Sequence, residues 1–144
     1  MAEVFKTTKR VEFRDTDAAG IMHFSTYFTY MEEAEHELLR SLGTSVIQHT
    51  GSETLSWPRV AATAEYQGAV HFEDLIEIEV RISRLGTRSV TYQHTFLLDA
   101  EPIASGTITA VCCCIDPEQA LSSRDIPTQL RDQLTPYVDP TLAR

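Results

Sequence analysis

Residues 13–22 read Phe-Arg-Asp-Thr-Asp-Ala-Ala-Gly-Ile-Met, and they join an extended segment to an amphipathic helix that begins near Ser25. The residues before this stretch alternate apolar and polar side chains, which is typical of a strand. The carboxylates of Asp15 and Asp17 are therefore expected beside a helix N-terminus, together with the flexible Gly20. The unpaired N–H groups and the dipole of a helix start favour developing negative charge, so this loop could support acyl transfer.

Apolar side chains at three- and four-residue steps predict one long helix from Ser25 or Thr26 to Leu42. Its apolar face is formed by Tyr27, Met31, Ala34, Leu38 and Leu42. Gly43 is expected to end the helix, because glycine readily takes the positive φ of a helix C-terminal cap.

Five strands are predicted from alternating hydrophobicity, at about residues 4–14, 59–66, 76–83, 90–98 and 108–114. Residues 44–56 have no clear pattern and are expected to form a loop, a Glu101-Pro102 turn is expected before the last strand, and residues 127–134 predict a short helix. One helix followed by antiparallel strands belongs to the α+β class. We expect residues 1–144 to form one domain, in which a curved five-stranded sheet covers the long helix.

The outer face of that sheet is predicted to be partly apolar. It would carry Thr91, Thr95, Leu97, Val111 and Ile115. A face of this kind is poorly suited to open water, so the sequence predicts a homo-oligomer.

Composition excludes several classes of function. The net charge of −9 argues against a nucleic-acid surface, which needs a basic stripe. No apolar run approaches the roughly 20 residues of a membrane span, and the first residues do not resemble a secretory signal, so the cytoplasm is the expected compartment. Cys112, Cys113 and Cys114 are consecutive, which fits neither a disulfide nor a zinc site, and we interpret them as packing residues.

Three blocks of the sequence resemble the hotdog-fold acyl-CoA thioesterases, and in particular the 4-hydroxybenzoyl-CoA thioesterase-like family. The blocks are residues 13–22 with Tyr27 and Glu32-Glu33-Ala34, then Ala64-Glu65-Tyr66 with residues 72–78, and then residues 84–90. Phe24 replaces a tyrosine or histidine found in many relatives. That change removes any substrate contact made by the side chain, whereas a contact made by the backbone N–H survives.

The resemblance implies a mechanism of thioester hydrolysis. Asp17 matches the catalytic carboxylate, which either attacks the thioester carbonyl or deprotonates the attacking water. The backbone N–H of Phe24 would stabilise the oxyanion, and Gly20 would supply the turn that brings loop and helix together. Asp15 is interpreted as a residue that stabilises the loop.

The same resemblance implies the residues that bind the substrate. His23 is a candidate for substrate contact, and Glu32 matches a position that contacts the aromatic acyl group in some members. Arg84, Arg88 and Ser89 are expected to hold the phosphates of coenzyme A, with Arg59 and Arg124 as further candidates that no motif supports. No metal or redox cofactor is expected, because the sequence has no cluster of metal ligands and no phosphate-binding glycine loop, and coenzyme A is part of the substrate. The expected assembly is a homodimer or homotetramer.

Two other functions remain open at this stage. The first is an acyl-CoA sensor on the same fold, which would bind the ligand without hydrolysing it. The second, a hotdog dehydratase, fits poorly because its usual pairing of histidine and acid has no counterpart here. The acyl group itself is not determined by the sequence.

Overall fold

The computed structural model describes residues 1–118 and 120–143 of the chain. Its helices and strands follow in the order β1 (Phe5–Arg10), α1 (Thr26–Ser41), β2 (Gln48–Thr50), β3 (Glu53–Ser56), β4 (Arg59–Tyr66), β5 (Leu75–Leu85), β6 (Ser89–Leu98), β7 (Glu101–Val111), β8 (Cys113–Ile115), β9 (Leu121–Ser123) and α2 (Thr128–Leu134). Short 3-10 turns lie at Phe13–Asp15, Thr135–Tyr137 and Pro140–Leu142.

The main sheet has five strands in the order β1-β5-β6-β7-β4, and every neighbouring pair is antiparallel. Helix α1 packs on one face of this sheet and buries its apolar side there, including Met31, Ala34 and Leu38. The α+β class predicted from the sequence is confirmed. No helix in the part of the chain that the structure describes is both long and apolar enough to cross a membrane.

A glycine on β7 allows the helix to approach the sheet closely. A Cβ atom at Gly106 would lie 2.5 Å from the Met31 methyl group and 2.6 Å from the carbonyl oxygen of Thr63. The second of these atoms belongs to the backbone of β4 and cannot turn away. The lack of a side chain at Gly106 therefore allows α1 to lie this close to the sheet, and it contributes to the position of the helix start.

Several of the predicted boundaries are wrong, and the last strand of the main sheet runs from Glu101 to Val111 rather than over about residues 108–114. The first strand ends at Arg10 rather than near residue 14, because the Asp15 carboxylate accepts the Glu12 N–H and draws the chain into a 3-10 turn. Residues 44–56 contain β2 and β3, which join β8 and β9 in a second, four-stranded sheet. The turn before β7 falls at Asp99 and Ala100, both with positive φ, rather than at Glu101-Pro102.

The two faces of the central strands differ as predicted. The helix-facing side chains of β5 and β6 are buried, and they include His94, which is fully enclosed. Of the five residues predicted on the outer face of the sheet, Thr91, Thr95, Leu97 and Val111 are half-buried in the single chain. The prediction is wrong for Ile115, because the last predicted strand breaks at Cys112 and Ile115 lies on β8 of the second sheet.

Candidate active site

The loop between the first 3-10 turn and α1 is closed by its own backbone. The Asp17 N–H donates to the Ile21 carbonyl at 2.9 Å, and the Gly20 N–H donates to the Asp17 carbonyl at 2.9 Å. Gly20 has a φ of 81°, the left-handed conformation that glycine tolerates best. This residue therefore forms the tight turn that the sequence predicted.

The loop is also fixed to the residues that precede β5. Met22 donates its N–H to the Val70 carbonyl at 2.8 Å, and Ile21 forms a bridge with His71. These contacts place Asp17 at the end of the main sheet where β5 begins.

The carboxylate of Asp17 is half-buried, and its two oxygens differ in their contacts. Oδ1 accepts the Ala19 N–H at 2.8 Å, which orients the side chain. Within residues 1–118 and 120–143, no group donates to Oδ2. One oxygen is thus held in place while the other is open to a ligand or a water molecule.

Asp15 has a structural role, as the sequence predicted. Its Oδ2 accepts the Tyr30 hydroxyl at 2.5 Å and the Glu12 N–H at 3.0 Å, and its backbone carbonyl accepts the His23 N–H at 2.8 Å. Burial, followed by the hydrogen bond to Asp15, raises the pKa of the Tyr30 hydroxyl well above its usual range. Asp15 therefore joins the loop to the middle of α1.

The residues before α1 leave one backbone donor free. Thr26 donates its N–H to the His23 carbonyl at 3.0 Å, and Tyr66 donates its hydroxyl to the Phe24 carbonyl at 2.9 Å. The N–H of Phe24 has no acceptor among the described residues. The Phe24 ring is exposed, so the backbone rather than the side chain is the polar group presented here.

His23 is held in one tautomer by the next turn of the chain. Its Nδ1 accepts the Ser25 N–H at 3.2 Å and lies 2.8 Å from the Ser25 hydroxyl. Because the amide is always a donor, the neutral imidazole carries its proton on Nε2. The Ser25 hydroxyl makes this contact instead of capping the helix.

Glu32 lies in a cluster of ion pairs on α1. Its Oε2 is 3.4 Å from Nη2 of Arg59, and Nη1 of the same arginine is 3.0 Å from Oε2 of Glu35. Glu35 is only 1% exposed, and its burial raises the pKa to about 7 despite the attraction of Arg59. Arg59 is thus already bound by two carboxyl groups within its own chain.

The predicted phosphate-binding residues lie at the other end of the sheet. Arg84 is exposed near the end of β5, and Ser89 begins β6. Arg88, between them, binds Asp125 at 2.8 Å and the Ser123 hydroxyl at 3.1 Å. Because β5 has 11 residues and rises about 3.3 Å per residue, roughly 33 Å separates its two ends. A single chain does not bring Arg88 and Asp17 together.

Two residues that contribute to this geometry were not assigned a role from the sequence. Tyr66 lies in one of the motif blocks, but its contact with Phe24 joins residues far apart in the chain. Ser25 was considered only as a helix start, although the His-Phe-Ser spacing brings its polar groups to His23. Arg124, a weaker phosphate candidate, pairs with Glu53 at 3.1 Å. No metal-binding group of His, Cys, Asp and Glu occurs within the described residues.

Known proteins resemble this chain over most of its length. The family model described as the Thioesterase-like superfamily matches residues 11–134. A 1,4-dihydroxy-2-naphthoyl-CoA hydrolase of Synechococcus sp. (strain WH7803) is 34% identical over an alignment of 115 residues, with a coverage of 74% for each protein. The solved BH1999 gentisyl-coenzyme A thioesterase superposes with a TM-score of 0.78 at 30% identity and covers 90% of this chain and 98% of its own. The Slr0204 thioesterase from Synechocystis has a TM-score of 0.81 at 20% identity, covering 92% and 96%, and shows likeness of fold.

Proposed function

Because this chain is an acyl-CoA thioester hydrolase that belongs to the Thioesterase-like superfamily and has the hotdog fold, we propose that Asp17 and the Phe24 N–H carry its reaction. The observation that supports this assignment is the loop itself. Among the described residues, it holds a carboxylate with one open oxygen and, just before the helix, the Phe24 N–H without an acceptor.

The Phe24 N–H would stabilise the charge that develops on the thioester oxygen. Attack on the carbonyl carbon moves negative charge to that oxygen. The hydrogen bond from a fixed donor is therefore stronger in the transition state than in the ground state. One such donor is typically worth about 2.7–4 kcal/mol in the transition state. The dipole of α1, a helix of 16 residues, adds to the same field.

Asp17 has two routes to hydrolysis. In the first, Oδ2 attacks the carbonyl, the coenzyme A thiolate leaves, and water cleaves the mixed anhydride. In the second, Oδ2 takes a proton from water, which attacks directly. Both routes need only water besides the substrate, so we propose no cofactor.

His23 and Glu32 are proposed to contact the substrate. The fixed tautomer of His23 gives it an Nε2–H that can donate to an acceptor on the acyl group or its thioester. Glu32, oriented by Arg59, would accept a hydrogen bond from a hydroxyl on that group.

We propose a homodimer formed through the β4 edge. The β1 edge carries Lys6 and Lys9, which discourage further strand pairing, whereas β4 exposes Val60, Ala61 and Ala62. Antiparallel pairing of two β4 strands would bring the Arg59 end of one beside the Tyr66 end of the other. The β5–β6 turn lies at the same end of the sheet as Arg59. In the dimer it would therefore approach the Asp17 loop of the second protomer.

The phosphates of coenzyme A are proposed to bind at this turn, on Arg84, Arg88 and Ser89. Replacing Arg88 with Glu should raise the Michaelis constant for acyl-CoA about tenfold with little change in kcat, because the phosphates lie far from the reacting carbon. Steady-state thiol release measures both constants. Asp125→Asn is the matched control, since it removes the ion-pair partner of Arg88 and keeps the cation. An unchanged Michaelis constant in Arg88→Glu would remove this residue from the binding site.

Mixed dimers test whether one site draws on both chains. If Asp17 of one protomer works with Arg88 of the other, a dimer of Asp17→Asn with Arg88→Glu contains one intact site and one doubly altered site. Coexpressed and doubly tagged dimers should therefore regain about half of the parent activity at low substrate concentration. Dimers that keep only the low activity of the Arg88→Glu chain would show that each site belongs to one chain, and a failure to recover doubly tagged dimers would contradict the homodimer.

The proposed substrates are aromatic acyl-CoA thioesters. Three relatives with at least 30% identity are named for hydroxylated aromatic acyl groups. The test is thiol release by the purified protein with aromatic, short-chain and long-chain acyl-CoAs, where the aromatic class should be hydrolysed fastest. Tight binding of all three without thiol release would favour the acyl-CoA sensor.

The three free cysteines fit the reducing conditions of the cytoplasm, which we propose as the compartment.

A further inference from the structure

Tyr66 connects the end of β4 to the backbone just before α1. Its hydroxyl donates to the carbonyl of Phe24 at 2.9 Å, across 42 residues of sequence. That carbonyl and the free N–H belong to the same residue. They lie on the two peptide planes that meet at the Cα atom of Phe24, so a contact that fixes the carbonyl limits the φ and ψ rotations by which the N–H could change direction.

The ring of Tyr66 is positioned independently of its hydroxyl. It packs edge-on against Tyr27, with ring centroids 4.9 Å apart, and Tyr27 packs edge-on against Phe96 at 5.2 Å. Both of these partners are buried, so the aromatic chain ends in the core. Removing the hydroxyl alone would leave this packing intact.

The remaining neighbours of Phe24 are also fixed. His23 donates its N–H to Asp15, and Thr26 donates its N–H to His23. Phe28 donates its N–H to the Ser25 carbonyl, and the Tyr66 hydroxyl holds the Phe24 carbonyl, which none of these backbone contacts holds. On this basis we propose that Tyr66 is a positioning residue, which aims the Phe24 N–H at the substrate oxygen without touching the substrate.

This inference rests on the proposed function, in which Phe24 is the oxyanion donor. A loosely held donor must be ordered during the reaction. Loss of the Tyr66 contact should therefore weaken the stabilisation of the transition state more than it weakens substrate binding. Tyr66→Phe should therefore lower kcat about tenfold and change the Michaelis constant by less than twofold. Tyr137→Phe is the control, since Tyr137 lies in the turn after α2 and makes no hydrogen bond to residues 23–26 within the part of the chain that the structure describes.

A second measurement does not depend on activity. The ¹⁵N order parameter of the Phe24 amide, about 0.85 for rigid backbone, should fall in Tyr66→Phe and stay unchanged in Tyr137→Phe. A parent protein without hydrolysis would overturn the proposed function, and the amide would still report on Tyr66. Unchanged order at Phe24, or an unchanged kcat in an active protein, would overturn the role of Tyr66.

Discussion

Replacing Asp17 with Asn should lower the kcat of acyl-CoA hydrolysis by about 100-fold or more. The amide has the same shape, and its oxygen can still accept the Ala19 N–H, so the loop should keep its conformation. What the variant loses is the negative charge on the open oxygen, which either attacks the carbonyl or takes the proton of water. Steady-state thiol release with the best acyl-CoA substrate measures kcat.

The control for this experiment is Asp99→Asn. Asp99 lies in the β6–β7 turn with a φ of 50°, a conformation that asparagine also accepts, so folding should be preserved. Its kcat should equal that of the parent. Near-normal turnover in Asp17→Asn would exclude this carboxylate from the chemistry and would leave its contact with Ala19 as its main role.

Acidification should destabilise the protein through His94. Burial lowers the pKa of this imidazole to about 4, although the nearby carbonyls of Met31 and Gly106 oppose the change. Neither ring nitrogen has a well-aligned hydrogen-bond partner among the described residues. Between pH 6.5 and 4 the unfolded chain takes up a proton at His94 that the folded chain does not, so the free energy of unfolding falls as the pH falls.

The variant His94→Leu removes this effect and keeps a similar volume. Relative to the parent, its free energy of unfolding should rise as the pH falls from 6.5 to 4, by on the order of 3 kcal/mol. Urea unfolding at several pH values measures the difference. His49→Asn is the control, since His49 is exposed and remains in contact with solvent. A difference that does not change with pH would contradict the burial of an uncharged His94.

The free energy of unfolding must be compared between variant and parent, because Glu35 changes it with pH in the opposite direction to His94. The pKa of Glu35 is raised to about 7, so between pH 4.5 and 7 the folded carboxyl keeps a proton that the unfolded chain has lost. The free energy of unfolding then rises as the pH falls through that range. Over most of the interval the two residues offset each other in the parent, and only the comparison separates them.

Long periodic segments could be predicted from the sequence. Helix α1 begins at Thr26 and ends at Ser41, within one residue of the prediction, because five apolar side chains recur on one face. The buried faces of β5 and β6 follow from strict alternation over residues 75–82 and 89–96. The strands of the second sheet have three or four residues each, too few for alternation to be distinguished from chance.

The sequence by itself determined the α+β class, the long helix and the acidic loop before it, together with the candidate residues Asp17 and Gly20. These features depend on local spacing and on the conformational preference of single residues. Only the tertiary structure decided that Tyr66 holds Phe24, that Arg59 is paired with Glu35, and that Arg88 lies at the far end of the sheet. Such contacts join residues distant in the chain, and their geometry depends on strand order and on the close packing at Gly106, which no local pattern encodes.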